Sequence, residues 1–338
     1  MSTANLIATP LVAGSGTPCP MADTPHNARV CGRRLVFLGF KPQMQSIERV
    51  LIVGAGWVGR QVAARMAGYG IEVWLVDRDE KACQAALTWL RELDATEPPQ
   101  PEDAGDWLSR VHTGNSLSEL AAEHGPHAAD AFDLVLESVP EQISLKKRVL
   151  REASRCFPPP TIIASNSSYF VPSMLSAFVQ QPSRFAHLHF HVPVLVDSVV
   201  DVVGCAETKP QVIELLRQLT LRIGQEPLLL RREHPGYIFN WLLQAVLRAA
   251  LELVALDVTD ARQVDKSWTA VTGMPLGPFG IMDRIGLDVI EQVLSNARWS
   301  APPEATLEQL LAILADHTRR GELGVKSNRG FYDYKDSQ

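Results

Sequence analysis

The chain has 338 residues, 46% of them hydrophobic and 21% charged, which is the balance of a folded globular protein and not of a disordered one. Lys and Arg number 32 against 38 Asp and Glu, a net charge of −6 with no basic stripe, which argues against a nucleic-acid partner. Five cysteines at irregular spacing, with no CxxC, suggest neither a disulfide framework nor a zinc ribbon and fit a reducing, cytoplasmic location. No apolar run reaches the roughly 20 residues needed to cross a bilayer, so no membrane association is expected.

Residues 1–43 are a separate compositional unit, rich in Ser, Thr, Pro and Gly, with Arg29, Arg33, Arg34 and Lys41 against Asp23 alone. They read as a disordered leader, or as the product of a start placed upstream of a true start at Met44; an organelle address is the functional alternative.

The first ordered pattern begins just after Met44. Val50 to Val53 form the aliphatic run of a buried parallel strand. Gly54-Ala55-Gly56-Trp57-Val58-Gly59 follows, then helix formers through Met66 and a stop at Gly68 to Gly70. In such a strand, turn and helix, Gly54 permits the sharp turn, Gly56 lets backbone approach a pyrophosphate, and Gly59 lets helix pack on strand. The phosphates would sit at the positive helix N-terminus. A second strand, Glu72 to Val76, ends in Asp77, eighteen residues after Gly59. An acid there accepts hydrogen bonds from ribose hydroxyls and repels a 2′-phosphate, which favours NAD; Arg78 beside it keeps NADP as the minority case.

Asp133 to Ser138 and Thr161 to Ser165 read as further strands, with a helix over Glu141 to Arg151 carrying Lys146, Lys147 and Arg148 on its exposed side. The elements predict an α/β chain with a Rossmann-type doubly wound sheet. Ligands of such sheets lie beyond the carboxyl ends of the strands, which marks Glu141, Asn166, Ser167 and Ser168. The two serines also suit a plain helix cap before Val171.

The succession GAGWVG, VDRD, ESVPE, ASNSS, RFAHLHFHVP, HPGYIFN, GPFGIMDRIGLD and GVKSNRGFYDY resembles the 3-hydroxyacyl-CoA dehydrogenase family over roughly residues 47 to 335. The ESVPE and SNSSY variants are closer to its short single-function branches, which include carnitine and gulonate dehydrogenases. The resemblance implies NAD-dependent oxidation of an L-3-hydroxyacyl thioester in fatty acid metabolism, and a homodimer formed through the second domain. It implies His189 as base, with Ser168 and Asn240 beside the substrate oxygen, and Glu141, Lys146 and Lys326 near the nicotinamide half of the cofactor. The chemistry is consistent, because alcohol oxidation needs a base of near-neutral pKa and donors for the developing negative oxygen. On a helix, Asn240 falls near one edge of an apolar arc of Ile238, Leu242, Val246 and Ala250, and can point into a cleft or simply tie two helices together.

Three positions depart from the family pattern. The glutamate that the family carries twelve residues after its histidine is Asp201 here, shorter by roughly 1.5 Å, so it is expected to orient His189 directly or through one water. Val192 replaces the usual Asn before Pro. The lysine-rich arm of the acyl-CoA enzymes is replaced by the acidic, proline-rich Ala95 to Trp107, poor in charge complementarity to CoA. That raises carrier-bound or free hydroxy acids as alternative substrates, and a non-catalytic NAD-binding protein is the alternative of another class.

His187, His189 and His191 alternate on one strand and share a face, which allows two of them to hold a zinc ion. With consecutive same-face residues nearly 7 Å apart, the third cannot join, and no metal is expected; His187 and His191 read as core or pocket-lining residues.

After a last strand at Glu226 to Leu230 the pattern turns helical: Ile238 to Val254, a helix opened by Asp260 with Gln263, and Ala305 to Thr318. Domains are expected at 44–232 and 233–338, the second all-helical, with Trp268, Phe279 and Met282 in its core.

Overall fold

The computed structural model describes residues 46–96, 105–125, 128–196, 199–296 and 307–334. The expected leader and most of the acidic, proline-rich segment lie outside the described residues. The strands are β1 (Arg49–Val53), β2 (Glu72–Val76), β3 (Val111–Gly114), β4 (Leu134–Glu137), β5 (Ile162–Ser165), β6 (Phe185–Phe190), β7 (Val199–Gly204) and β8 (Glu226–Leu229). They form one sheet in the order β3-β2-β1-β4-β5-β6-β7-β8. β1 to β6 run parallel, whereas β7 pairs antiparallel with β6 and parallel with β8, so the last two strands are reversed.

Alternation along β1 sets the two covering layers. Val50 and Ile52 join the cluster that contains α1 (Trp57–Gly68), α2 (Glu80–Thr96) and α7 (Pro210–Arg222). Leu51 and Val53 face α3 (Leu117–His124) and α5 (Ile143–Cys156). Burial on both faces is what a wholly aliphatic strand predicts, and each such side chain contributes about 1.5–3 kcal/mol. Two short helices, α4 (Ala128–Ala131) and α6 (Pro172–Ser176), complete this half.

Beyond β8 the chain is helical: α8 (Phe239–Ala255), α9 (Ala261–Thr272), α10 (Pro278–Ile285), α11 (Leu287–Asn296) and α12 (Leu307–Arg319). As the sequence predicts, Asp260 caps α9 by accepting from the Gln263 backbone N–H at 2.9 Å. The GPFGIMD and GFYDY motifs meet at Asp283, which accepts from the backbone of Phe331 (2.8 Å) and Tyr332 (2.9 Å) and from the Tyr334 hydroxyl (3.0 Å). Burial raises the Asp283 pKa against those bonds. Phe279 and Met282 are buried with Leu251, Leu287 and Leu314, as expected.

Three expectations are corrected. Trp268 is only half-buried, because α9 buries none of its residues. The buried face of α8 is Gln244, Leu247, Ala250 and Leu251, while Ile238 and Leu242 of the expected arc are 45% and 60% exposed. Lys146 is 1% exposed and points inward; only Arg148 of its group is fully on the surface, and Lys147 is half-buried. Periodicity predicts the α5 helix, but the acids that Lys146 pairs with, buried Glu137 and exposed Glu141, come from other segments.

Candidate active site

The glycine turn divides its labour as its spacing requires. Gly54 has φ +116°, and a Cβ there would meet the Ser138 carbonyl oxygen at 2.5 Å. A Cβ on Gly59 would overlap the Gly54 carbonyl, whereas one on Gly56 would meet nothing within 4 Å. Gly56 is also the N-cap of α1 and has no side chain to bond the first-turn N–H groups, the arrangement a helix end that receives a phosphate requires. Ala55 donates its backbone N–H to Asp77 Oδ2 at 3.0 Å, so the acid at the end of β2 also fixes the turn. Trp57 is 54% exposed and half-buried Val58 packs against the core behind the turn. These residues fit a dinucleotide: an open backbone cradle, a positive helix end and an acid placed for a ribose.

From this turn a continuous set of contacts leads to the histidines. Ser138, against Gly54, accepts from Asn166 Nδ2 at 3.3 Å, and Asn166 Oδ1 accepts from the Phe190 backbone N–H at 2.8 Å. Beneath it, Lys146 Nζ donates to Glu137 Oε1 (2.8 Å) and the Val139 carbonyl (3.1 Å) and pairs with Glu141 Oε2 at 3.2 Å. Glu137 Oε2 accepts from the Ser165 hydroxyl at 2.6 Å. Glu141 Oε1 in turn accepts from the Ser167 hydroxyl and, at 2.9 Å, from the Tyr169 backbone N–H. The buried cation thus holds the loop that carries Ser168.

His189 lies directly opposite Asp201 in the antiparallel register of β6 and β7. Its Nδ1 donates to Asp201 Oδ2 at 3.0 Å, and its Nε2 accepts from the Ser168 hydroxyl at 3.0 Å. The shorter acid therefore reaches the ring directly. Because Asp201 can only accept, Nδ1 carries the proton and Nε2 offers its lone pair. Burial lowers the His189 pKa below the usual histidine value, the bond to Asp201 opposes that shift, and neighbouring His191 adds to it. The ring is held neutral, with the lone pair of its outer nitrogen available to accept a proton. Burial raises the Asp201 pKa, but the bonds from His189 and His191 outweigh it, so the carboxylate stays ionised.

Sequence reasoning missed two contributors. His191 donates from Nε2 to the same Asp201 oxygen at 2.8 Å. Tyr237, the tyrosine of HPGYIFN, accepts from His187 Nδ1 at 2.7 Å, donates to the Ser167 carbonyl at 2.6 Å, and lays its ring 4.9 Å from that of His189. The alternation of the three histidines was the available signal for both. His189, His191 and Asp201 are also the one such trio, among the described residues, with donor atoms within 4.8 Å of one another; the shared protons account for that closeness.

Two residues stand apart. Asn240 is half-buried in the first turn of α8, next to Phe239, whose ring lies 5.8 Å from that of His191. Lys326 is exposed and pairs with Asp288 of α11, so that a Cβ at Gly286 would meet its ammonium.

The NAD-binding domain model of the 3-hydroxyacyl-CoA dehydrogenases matches residues 49–233, and the C-terminal domain model of the same enzymes matches residues 236–334. The chain belongs to the 3-hydroxyacyl-CoA dehydrogenase family. It is an NAD-dependent dehydrogenase acting on a hydroxyl group. It is similar to a probable 3-hydroxyacyl-CoA dehydrogenase of Caenorhabditis elegans, 28% identical over 304 residues that cover 87% of this chain and 98% of the relative. A 5-formyl-3-hydroxy-2-methylpyridine 4-carboxylate 5-dehydrogenase of Mesorhizobium japonicum is 29% identical over 86% of this chain and 92% of its own. Among solved structures, a diketoreductase that acts on dicarbonyl compounds superposes with a TM-score of 0.74 at 31% identity, covering 86% of this chain and all of that one.

Proposed function

We propose that this dehydrogenase interconverts an L-3-hydroxyacyl thioester and its 3-ketoacyl form in cytoplasmic fatty acid metabolism. The observation that carries the reading is one imidazole, His189, held between a buried carboxylate and a serine hydroxyl, next to Phe190, whose N–H bonds the Asn166 that also bonds Ser138 beside the glycine turn. His189 Nε2 takes the hydroxyl proton, and Asp201 stabilises the imidazolium that forms. The Ser168 hydroxyl and the Asn240 amide donate to the oxygen that gains charge. The turn from Gly54 to Gly59, with Asp77, would hold the cofactor, and Glu141, Lys146 and Asn166 shape the wall beside its nicotinamide. Bound NAD supplies the hydride acceptor. Lys326 is proposed to join that wall only by leaving Asp288.

A second reading, a free or carrier-bound hydroxy acid, is favoured by one observation: Lys81 and Arg91 are the only cations on α2, where a CoA nucleotide would need several. The pyridine carboxylate dehydrogenase and the diketoreductase among its relatives support the breadth of that choice. The test is NAD reduction followed by absorbance over L-3-hydroxyacyl-CoA, carrier-bound and free hydroxy acids, with His189→Gln as control. Silence across the panel with intact NAD binding would leave only a nucleotide-binding protein.

We take 44–232 as the NAD-binding half and 233–338 as a helical half that pairs with a second copy. The exposed Ile238, Leu242 and Val271, the last 83% exposed, support a homodimer through that half. Sedimentation at several concentrations tests it, and a monomer at all of them would refute it.

A further inference from the structure

Asp201 serves two imidazoles with one atom. His189 Nδ1 at 3.0 Å and His191 Nε2 at 2.8 Å both donate to Oδ2, while Oδ1 is buried with no hydrogen-bond partner among the described residues. The two rings stand edge to face, their centroids 4.7 Å apart, and the Phe239 ring closes the far side of His191. A carboxylate with one short arm and a single partner can turn about its Cβ–Cγ bond. A second charge-assisted donor on the same oxygen removes that freedom.

We propose that His191 is a positioning residue of the base: it clamps the short carboxylate so that Oδ2 faces His189. The inference rests on the reading of His189 as base. His191 does the work that added reach does where a glutamate stands at position 201. Its ring lies at the partly open end of the trio, with 14% of its side chain exposed. The other ionisable groups around the pair are His187 on β6, Glu137 at the end of β4, Glu141 and Lys146 at α5, and Tyr237 ahead of α8. None of these bonds the carboxylate oxygen that His191 shares with the base.

Two replacements separate the clamp from the ring. His191→Gln keeps an N–H donor without the imidazole; His191→Phe keeps neither. With the best substrate of the panel, His191→Phe is expected to lower kcat about tenfold, the loss of one hydrogen bond to a charged group, with KM for NAD unchanged. His191→Gln is expected to recover most of that turnover. In both variants the acid limb of alcohol oxidation moves to higher pH, and the His189 imidazole titration followed by NMR moves with it, because the neighbouring ring that lowers the His189 pKa is gone. An unmoved His189 titration in His191→Gln would overturn the proposal even if His191→Phe fails to fold, as would equal impairment of both variants. Retained turnover in His189→Gln would instead overturn the assignment of the base, whatever His191 does.

Discussion

Replacing Asp201 with Asn keeps the shape of the dyad and removes its charge, and the surroundings determine how large the effect must be. Oδ2 accepts from two imidazoles, whereas Oδ1 has no partner. An amide in this place keeps its carbonyl oxygen at the two donors and turns its NH₂ into the unpartnered position. His189 then retains its tautomer, Nδ1–H inward and Nε2 free, and the roughly 10⁴-fold loss seen when an amide enforces the wrong tautomer in a serine protease triad is not expected. What is lost is the difference between a hydrogen bond to a charged group, about 1.5–3 kcal/mol, and a neutral one, about 0.5–1.5 kcal/mol. At about 1.4 kcal/mol per factor of ten, kcat for oxidation should fall between about fivefold and about sixtyfold. Asp201 raises the His189 pKa against the effect of burial. Without the carboxylate that pKa drops further, so the acid limb of oxidation moves to lower pH, and ketone reduction, which needs the imidazolium, suffers more than oxidation. Steady-state rates in both directions across pH, with NAD affinity measured separately by Trp57 fluorescence, give the answer. Unchanged turnover, or an acid limb that moves upward, would refute the orienting role.

Gly56→Ala should leave thermal stability unaltered, since a Cβ there meets nothing within 4 Å, but raise KM for NAD tenfold or more by filling the cradle; a normal KM would place the pyrophosphate elsewhere. Lys146→Met strands the wholly buried Glu137 carboxylate, and breaking such a pair costs about 3–5 kcal/mol; urea denaturation reads the loss, and a change below about 1 kcal/mol would contradict the burial of the pair. Burial first, then Lys146 and His189, hold the His187 pKa well below its usual value. The unfolded chain therefore binds a proton near pH 6.5 that the folded chain refuses, and stability must fall as pH drops below that point. A urea midpoint at pH 5 equal to that at pH 7 would show His187 to be charged in the fold.

The sheet was legible because its signals are local. Val50 to Val53, the glycine turn and Asp77 lie within thirty residues, and each carries its own steric or charge requirement. His189 and Asp201 were legible only through the family pattern, since nothing in twelve residues of sequence states that a strand reverses. The direction of Lys146 was not legible at all: a lysine on an amphipathic helix reads as solvated until the carboxylates of Glu137 and Glu141 are brought to it by β4 and the loop after it. His191 was misread for a related reason. Same-face spacing of nearly 7 Å excludes three rings from one ion when their Cα positions alone are considered, but two rings on neighbouring sites can lean toward a carboxylate that projects between them from the facing strand.

That last point explains why the reversed pair β6 and β7 is where this chemistry sits. In a parallel ladder the residues that share a face advance together along one direction, and functional side chains gather only at the carboxyl ends of the strands. An antiparallel neighbour brings residues from the far side of a turn into direct opposition, here His189 against Asp201, at the end of the sheet that already holds Asn166 and Ser168. The arrangement tolerates no slip. A register shift of one residue would turn Asp201 to the opposite face and set Val200 or Val202, both fully buried, against the imidazole. Those two valines pack into the cluster beneath α1 and α7, so the core that fixes the register also fixes the dyad. The loop after β6 then decides what else reaches the carboxylate, and in this chain that residue is a second histidine.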